Sequence, residues 1–455
     1  MSETVATSGR GPVKKGRMSR KNTAAASVGS AIEFYDLSIY GYLAATFAPL
    51  FFPSDSAAAS LIAAFAVFGV AYLARPLGAV FFGWIADRMG RRPALVGTIL
   101  TMGVSATLIG LLPTYATIGV AAPILMLLLR MASGLSAGGE LYSAVAFTSE
   151  SAPAGKKGFH TSLVVGSTFI GFSSAVFVVA IVSSVLSAEQ MVTWGWRIPF
   201  LICLPLTIAS MWLRRQIHES EEFEKKVVAQ ARIKQTIPLV DLFRNHWRSV
   251  GKVFLIAVAI NAPTYLGLTY LASYFVVNRE LPSTSVYLLA GIGVLGSALL
   301  SPVAGMLVDR LGRRFTLALG LGMSVVLTYP LLLLMTLTES IFLLGVLYFV
   351  FMAMVPFYNC AAVQLFVDIF PTEVRTTGAA VGQNAGTALA GGFGPVIAAS
   401  LVAATGSLAA PSFFVIGAGI LGLIVLVFTP LKHGNGSAHT KDILEPAASS
   451  VASQD

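Results

Sequence analysis

GWIADRMGRR occupies residues 83–92, and GMLVDRLGRR occupies residues 305–314. Both spell Gly-x-x-x-Asp-Arg-x-Gly-Arg-Arg. The chain is 56% hydrophobic and only 11% charged, yet it places one acid and three arginines together twice, once in each half. A phrase of that length repeated so far apart marks an internal duplication. Its surroundings say what was duplicated.

Each copy sits between long apolar runs. With 43 glycines, 29 phenylalanines and a mean hydropathy of +0.79 over 455 residues, the chain is too apolar for a water-soluble domain of its size. Twelve runs are long enough to cross a bilayer as helices: 24–50, 57–84, 94–112, 118–147, 161–186, 198–213, 250–277, 286–308, 315–335, 341–369, 377–403 and 412–428. A helix needs about 20 residues to cross the roughly 30 Å hydrocarbon layer. A lipid-facing backbone must satisfy its own hydrogen bonds, and these runs lack the period-2 alternation of a barrel, so helices are expected. The expected fold is an all-α integral membrane protein of twelve transmembrane helices in two six-helix halves.

Charge sets the orientation. Of the 30 Lys and Arg, all but Arg75, Arg130, Arg197 and Arg279 fall on the side of the N-terminus when laid on this scheme. Positively charged loops stay in the cytoplasm, so both termini are expected there, in the cell (inner or plasma) membrane. The net charge of +9 is then a topology signal and not a nucleic-acid footprint. The expected organisation is a basic cytoplasmic tail over 1–22, a first half over 23–213, a cytoplasmic linker with an amphipathic segment over 214–249, a second half over 250–431 and a disordered tail over 432–455. The first run is too long for a signal-peptide core, so an uncleaved helix is expected. Cys203 and Cys360 lie inside apolar runs with no metal or disulfide spacing.

Both copies of the repeated phrase now fall in the cytoplasmic turn between the second and third helices of their halves. This pattern resembles the loop signature of the major facilitator superfamily. Further phrases are similar to its metabolite:proton symporter branch: AIEFYDLSIYG (31–41), LARPLGAVFFG (73–83), LLLRMASGLSAGGE (127–140), ESAPAGKKGFH (150–160), WGWRIPFL (194–201) and PTEVRTTG (371–378). The resemblance implies proton-coupled uptake of a small organic acid such as 2-oxoglutarate, citrate, a dicarboxylate or shikimate, by alternating access. The alternative within the branch is a zwitterion such as proline or betaine; a drug–proton exporter or a non-transporting sensor is a more distant reading. Protons as the coupling ion, no other cofactor, membrane lipids as surroundings and a monomeric state are the accompanying expectations.

Physically the repeated phrase suits a latch. Gly83 and Gly90, with Gly305 and Gly312, allow close approach and a tight turn. Asp87 and Asp309 can accept hydrogen bonds from neighbouring helix N-termini, and Arg88, Arg91, Arg92, Arg310, Arg313 and Arg314 can reach acids on the adjacent bundle, with Glu150 and Asp368 as partners.

Ionisable groups inside spans are costly, about 3 kcal/mol each on insertion scales, and so count as functional candidates. The clear cases, away from the ends of the runs, are Glu33, Asp36, Arg75, Arg130 and Glu140, all in the first half. Counted along their helices at about 1.5 Å per residue, Glu33, Arg75 and Glu140 share a depth near the midplane, and Arg130 lies about 15 Å farther out than Glu140. Asp36 shares a helix face with Glu33 and Tyr40. An arginine fork can hold a carboxylate, and an acid that loses its arginine to the substrate takes up a proton. Arg75 and Arg130 are therefore expected anion ligands, and Glu33, Asp36 and Glu140 proton carriers. The second half offers polar groups only: Tyr265, Tyr358, Asn359, Gln383 and Asn384, with Asn261, Thr264, Tyr270 and Gln364.

The sequence also excludes classes. It has no Gly-x-x-x-x-Gly-Lys-Ser/Thr phosphate loop for a primary pump. None of its five histidines falls in a span, so an enzyme with a clustered membrane site is not expected.

Overall fold

A computed structural model of the chain describes residues 20–89, 91–136, 155–215, 244–371 and 374–429, with residues 141, 144, 145, 148, 149, 152, 153 and 242. The side chains of 20–30, 32, 79, 80, 83, 84, 86–88, 91–95, 213–215 and 376 lie outside that description. So do most of the linker and both expected tails.

Among the described residues there are twelve helical rods. The first half holds α1 (Arg20–Phe51), α2 (Ala57–Met89), α3 (Arg91–Leu111), α4 (Ala121–Ser136), α5 (Lys157–Val185) and α6 (Ala188–Trp212). The second half holds α7 (Trp247–Val277), α8 (Ser283–Leu311), α9 (Arg313–Leu337), α10 (Ile341–Ile369), α11 (Thr377–Thr405) and α12 (Pro411–Val427). The rods match the expected spans closely, save α6, which starts ten residues early. Its first turns carry Glu189, Gln190 and Arg197, which break the apolar run, and a π-helical stretch Met191–Gly195 that brings Gly195 against Leu186 and Met191. Arg197, expected in an outer loop, is therefore helical. It donates to the carbonyls of Thr193 and Leu112.

Within the halves, α1 packs on α5, α2 on α4, α7 on α11 and α12, and α9 on α10 and α12. The halves meet along α5–α8, α2–α11 and α1–α7. Hydrophobic burial cannot hold helices together in lipid, so close approach of small residues does. A Cβ on Gly158 of α5 would sit 2.3 Å from the Gly305 carbonyl oxygen of α8, and one on Gly41 of α1 would strike Thr269 of α7. A Gly382-x-x-x-Gly386 contact also forms, with Val253 and Ala257 of α7 against it.

α7 is the interior helix: every residue from Ile256 to Phe275 is buried. Its all-round burial explains why it shows no polar face. Outer surfaces are apolar instead; Ile181, Leu299, Val326, Phe342 and Phe413 are each more than 60% exposed, which suits hydrocarbon and not water. Two further π-helical stretches, Leu266–Leu271 in α7 and Thr387–Gly392 in α11, lie beside the central cavity described next. Such bulges free backbone groups and commonly occur at functional sites.

Candidate functional site

Between the halves lies a pocket with about 780 Å³ of empty space, counting its open mouth. The first half contributes Glu33 and Phe34 from α1, Arg75 from α2, Leu141, and Val165, Thr168, Phe169 and Phe172 from α5. The second contributes Asn261, Thr264, Tyr265 and Leu268 from α7, Asn359 and Val363 from α10, and Gln383, Asn384 and Thr387 from α11. The depth argument thus holds for Glu33 and Arg75, which line one cavity. Glu140 lies outside the described residues, although its neighbour Leu141 lines the pocket.

Arg75 is 6% exposed, and its Nε and Nη2 have no hydrogen-bond partner among the described residues. Its guanidinium carbon lies 4.0 Å from the centre of the Tyr72 ring. Tyr72 sits three residues earlier on the same helix, so the stack follows from helical spacing. The Tyr72 hydroxyl donates to the Tyr265 hydroxyl at 3.0 Å, which fixes the ring and ties α2 to α7. A stacked guanidinium keeps its N–H edge available for a planar anion.

The opposite wall is uncharged. Asn261 Nδ2 donates to the Ala257 carbonyl at 2.7 Å, and Asn359 Nδ2 donates to the Val355 carbonyl and to Thr264 Oγ1. Gln383 Nε2 donates to Thr387 Oγ1 at 3.1 Å, and its Oε1 is buried without a partner among the described residues. Tyr358 does not line the pocket; it is buried behind Thr264, with which its hydroxyl bonds at 3.2 Å.

Asp36, Arg130 and Tyr40 form a second cluster off the pocket. Arg130 is 1% exposed, lies 3.9 Å from Asp36 Oδ2 and stacks 4.2 Å from the Tyr40 ring centre. Ser133 donates to the same carboxylate oxygen at 2.6 Å, and Tyr40 donates to the Ala64 carbonyl at 2.9 Å. Arg130 Nε, Nη1 and Nη2 and Asp36 Oδ1 have no hydrogen-bond partner among the described residues. A buried pair so sparsely hydrogen-bonded is expensive to keep, because its attraction barely offsets desolvation. Neither Arg130, expected as an anion ligand, nor Tyr40 lines the cavity; Arg130 is held by Asp36 and Tyr40 instead.

At the other end of α8, Asp309 accepts from the backbone N–H groups of Gly158 and Phe159 at 2.6 and 2.8 Å. It thereby caps α5 of the opposite half, as its motif suggested. Gly312 turns the chain with a φ of 84°, a conformation that suits glycine. Among the described residues the arginines find one expected partner, Asp368, but do not reach the adjacent bundle. Arg313 pairs with Asp368 and Arg314 donates to the Val427 carbonyl, so both contacts stay within the second half because α9 starts beside the ends of α10 and α12. Arg310 is exposed. In the first copy, Gly83, Asp87, Arg88, Gly90, Arg91 and Arg92 lie outside the described side chains, as does Glu150.

Sequence reading missed the aromatic lining, Phe34, Phe169 and Phe172, because phenylalanine in a span reads as packing. It also missed Ser133 and Tyr72, each three residues from an arginine; helical spacing around a buried charge was the available signal.

Comparison with known proteins adds the following. The sequence pattern of the Major Facilitator Superfamily matches residues 26–387 and 282–451. A proline/betaine transporter of Salmonella typhimurium is 34% identical over 418 residues, covering 89% of this chain and 82% of its own length. A shikimate transporter of Escherichia coli is 35% identical over 378 residues, covering 82% of this chain and 86% of its own. Among solved structures, a D-xylose–proton symporter matches with a TM-score of 0.69 over 90% of this chain and 96% of its own; at 16% identity this is a likeness of fold.

Proposed function

The chain belongs to the major facilitator superfamily and is a multi-pass membrane transporter of small molecules, not an enzyme, and on that premise we propose that it takes up a small zwitterion of the proline and betaine type together with a proton. The observation that carries the substrate class is the joint presence of Arg75 and Glu33 in one interhalf pocket. The Nε and Nη2 groups of Arg75, unpartnered among the described residues, suit a carboxylate, and Glu33 suits a positive end. This revises the organic-acid expectation, which weighed the arginines and gave too little weight to an acid at the same depth. The resemblance to a proline/betaine transporter over most of both chains supports the revision.

A second reading has its own support. The amide-rich wall suits the hydroxyls of a polyhydroxy acid, and a shikimate transporter is among the relatives.

For the proton, with Glu140 outside the described residues, the assignment is Asp36. It faces Arg130 in a dry cluster where loss or gain of a charge is worth most. Tyr40, Phe68 and Tyr72 bridge the two arginines, with ring centres 6.1 and 5.1 Å apart along the series. A proton on Asp36 releases Arg130 and with it the α1–α4 contact. A substrate on Arg75 pulls at the other end of the same aromatic row. Both act on the packing of α1, α2 and α4, and so bias one rocking motion of the halves.

Uptake of labelled proline, betaine, shikimate, succinate and 2-oxoglutarate into proteoliposomes, with and without an inward proton gradient, tests the reading. Accumulation of a zwitterion that follows the gradient is expected. Accumulation of shikimate alone selects the second reading.

A further inference from the structure

The pocket's polar groups are sorted by kind. On α7, α10 and α11, three of the pocket's amides, Asn261, Asn359 and Gln383, donate from their NH2 groups to the protein. For Asn261 the acceptor is the Ala257 carbonyl, and for Asn359 it is the Val355 carbonyl. A backbone carbonyl can only accept, so the NH2 must face it and the amide oxygen must turn away; the flip is fixed by chemistry. Thr264 adds no donor, since its single hydroxyl proton goes to the Ile260 carbonyl at 2.6 Å while it accepts from Asn359. Gln383 completes the set, with Nε2 on Thr387 and Oε1 buried and unpaired among the described residues. The oxygens of these three amides are therefore left to accept from a solute, and Arg75 of the other half offers donors to it.

From this sorting we infer that the positive end of the substrate carries hydrogen: the transporter takes a zwitterion with a primary or secondary ammonium and discriminates against a fully methylated one. The inference rests on the zwitterion reading above and goes a step beyond it. An ammonium with two N–H groups can satisfy two of the amide oxygens of Asn261, Asn359 and Gln383 while the carboxylate lies on Arg75. A quaternary ammonium has no hydrogen to donate and would leave those acceptors buried and unpaired. The aromatic lining pulls the other way, because ring faces attract methylated cations. It does not decide the matter here: Phe172 packs against Phe34 at 5.4 Å and edge-on to Tyr265 at 6.3 Å, so these rings are engaged with one another. They suit the carbon skeleton of the solute, and two or three orphaned acceptors outweigh one cation–π contact.

The test uses a ligand series that replaces the donors one at a time by methyl groups. Proline, N-methylproline and N,N-dimethylproline share ring and carboxylate and carry two, one and no N–H groups. Their competition with labelled proline is measured on the full chain in proteoliposomes. Affinity should fall along the series, by roughly tenfold or more from first to last. In Asn359→Leu, and separately in Asn261→Ala, the ratio between first and last should shrink severalfold; a ratio remains readable even if a variant is partly destabilised. Equal competition by proline and the dimethyl compound overturns the inference and leaves the zwitterion reading standing. A steep series whose ratio is the same in both variants also overturns it, since bulk and not hydrogen donation is then being read. If no member competes while shikimate or succinate is bound, both readings fall together.

Discussion

Asp309→Asn is the substitution whose effect the structure determines most fully. The carboxylate accepts two backbone N–H groups at the start of α5, at 2.6 and 2.8 Å, across the boundary between the halves. Asparagine keeps one acceptor oxygen, turns an NH2 toward the second N–H and removes the negative charge from a helix N-terminus. Losing one bond to a charged group is worth about 1.5–3 kcal/mol, and losing the charge at the helix end about 0.3–1 kcal/mol. Asp309 is only partly buried, so solvent screens part of this, and about 1.4 kcal/mol is a fair net figure. That weakens closure of this end by roughly tenfold. Ser162, one turn deeper on α5 and fully buried against Gly305, reports on it as Ser162→Cys. The only native thiols, Cys203 and Cys360, are buried. Maleimide should label the introduced cysteine about tenfold faster in the Asp309→Asn background, in line with the population shift. Equal labelling rates would refute the assignment of Asp309 as a latch between the halves.

Three further outcomes are expected. Gly158→Ala places a Cβ 2.3 Å from the Gly305 carbonyl oxygen and 2.8 Å from Asp309 Oδ1, so it should wedge the same end open and raise labelling at the same position; unchanged labelling contradicts the close packing. Arg75→Lys keeps the charge and loses the fork, so proline affinity measured by calorimetry should fall by about 2 kcal/mol, roughly thirtyfold; an unchanged value removes Arg75 as the carboxylate ligand. Asp36→Asn holds the acid in a proton-like neutral state, so gradient-driven accumulation should fail while exchange of internal for external solute survives. Accumulation that persists there, with Glu33→Gln and Glu140→Gln deficient in turn, would move the proton to another acid.

Most of the fold was legible because lipid leaves so little choice. Apolar runs of spanning length must be helices, and a repeated Asp-Arg-x-Gly-Arg-Arg phrase fixes where the duplicated halves turn. The start of α6 was not legible, since Glu189 and Arg197 interrupt hydropathy in turns that are nevertheless helical. In the site, counting residues from the membrane surface brought Glu33 and Arg75 to one depth, and they do share a cavity. The same counting set Arg130 at another depth but could not say which way its side chain faces; it stacks on Tyr40 and does not line the pocket. Nor could sequence sort the amides into acceptors. That depends on Asn261 and Asn359 bonding back to carbonyls four residues earlier, a local choice that polar side chains in helices make only when no better partner is near.

Proton movement caused by the substrate itself tests the central claim most directly. Proteoliposomes containing the chain and a pH-sensitive dye outside are held without a proton gradient, and proline is added on an inward solute gradient. The account predicts alkalinisation outside on addition of proline, absent in Asp36→Asn and in liposomes without protein. Proline entry with no change in external pH in the wild-type chain would contradict it.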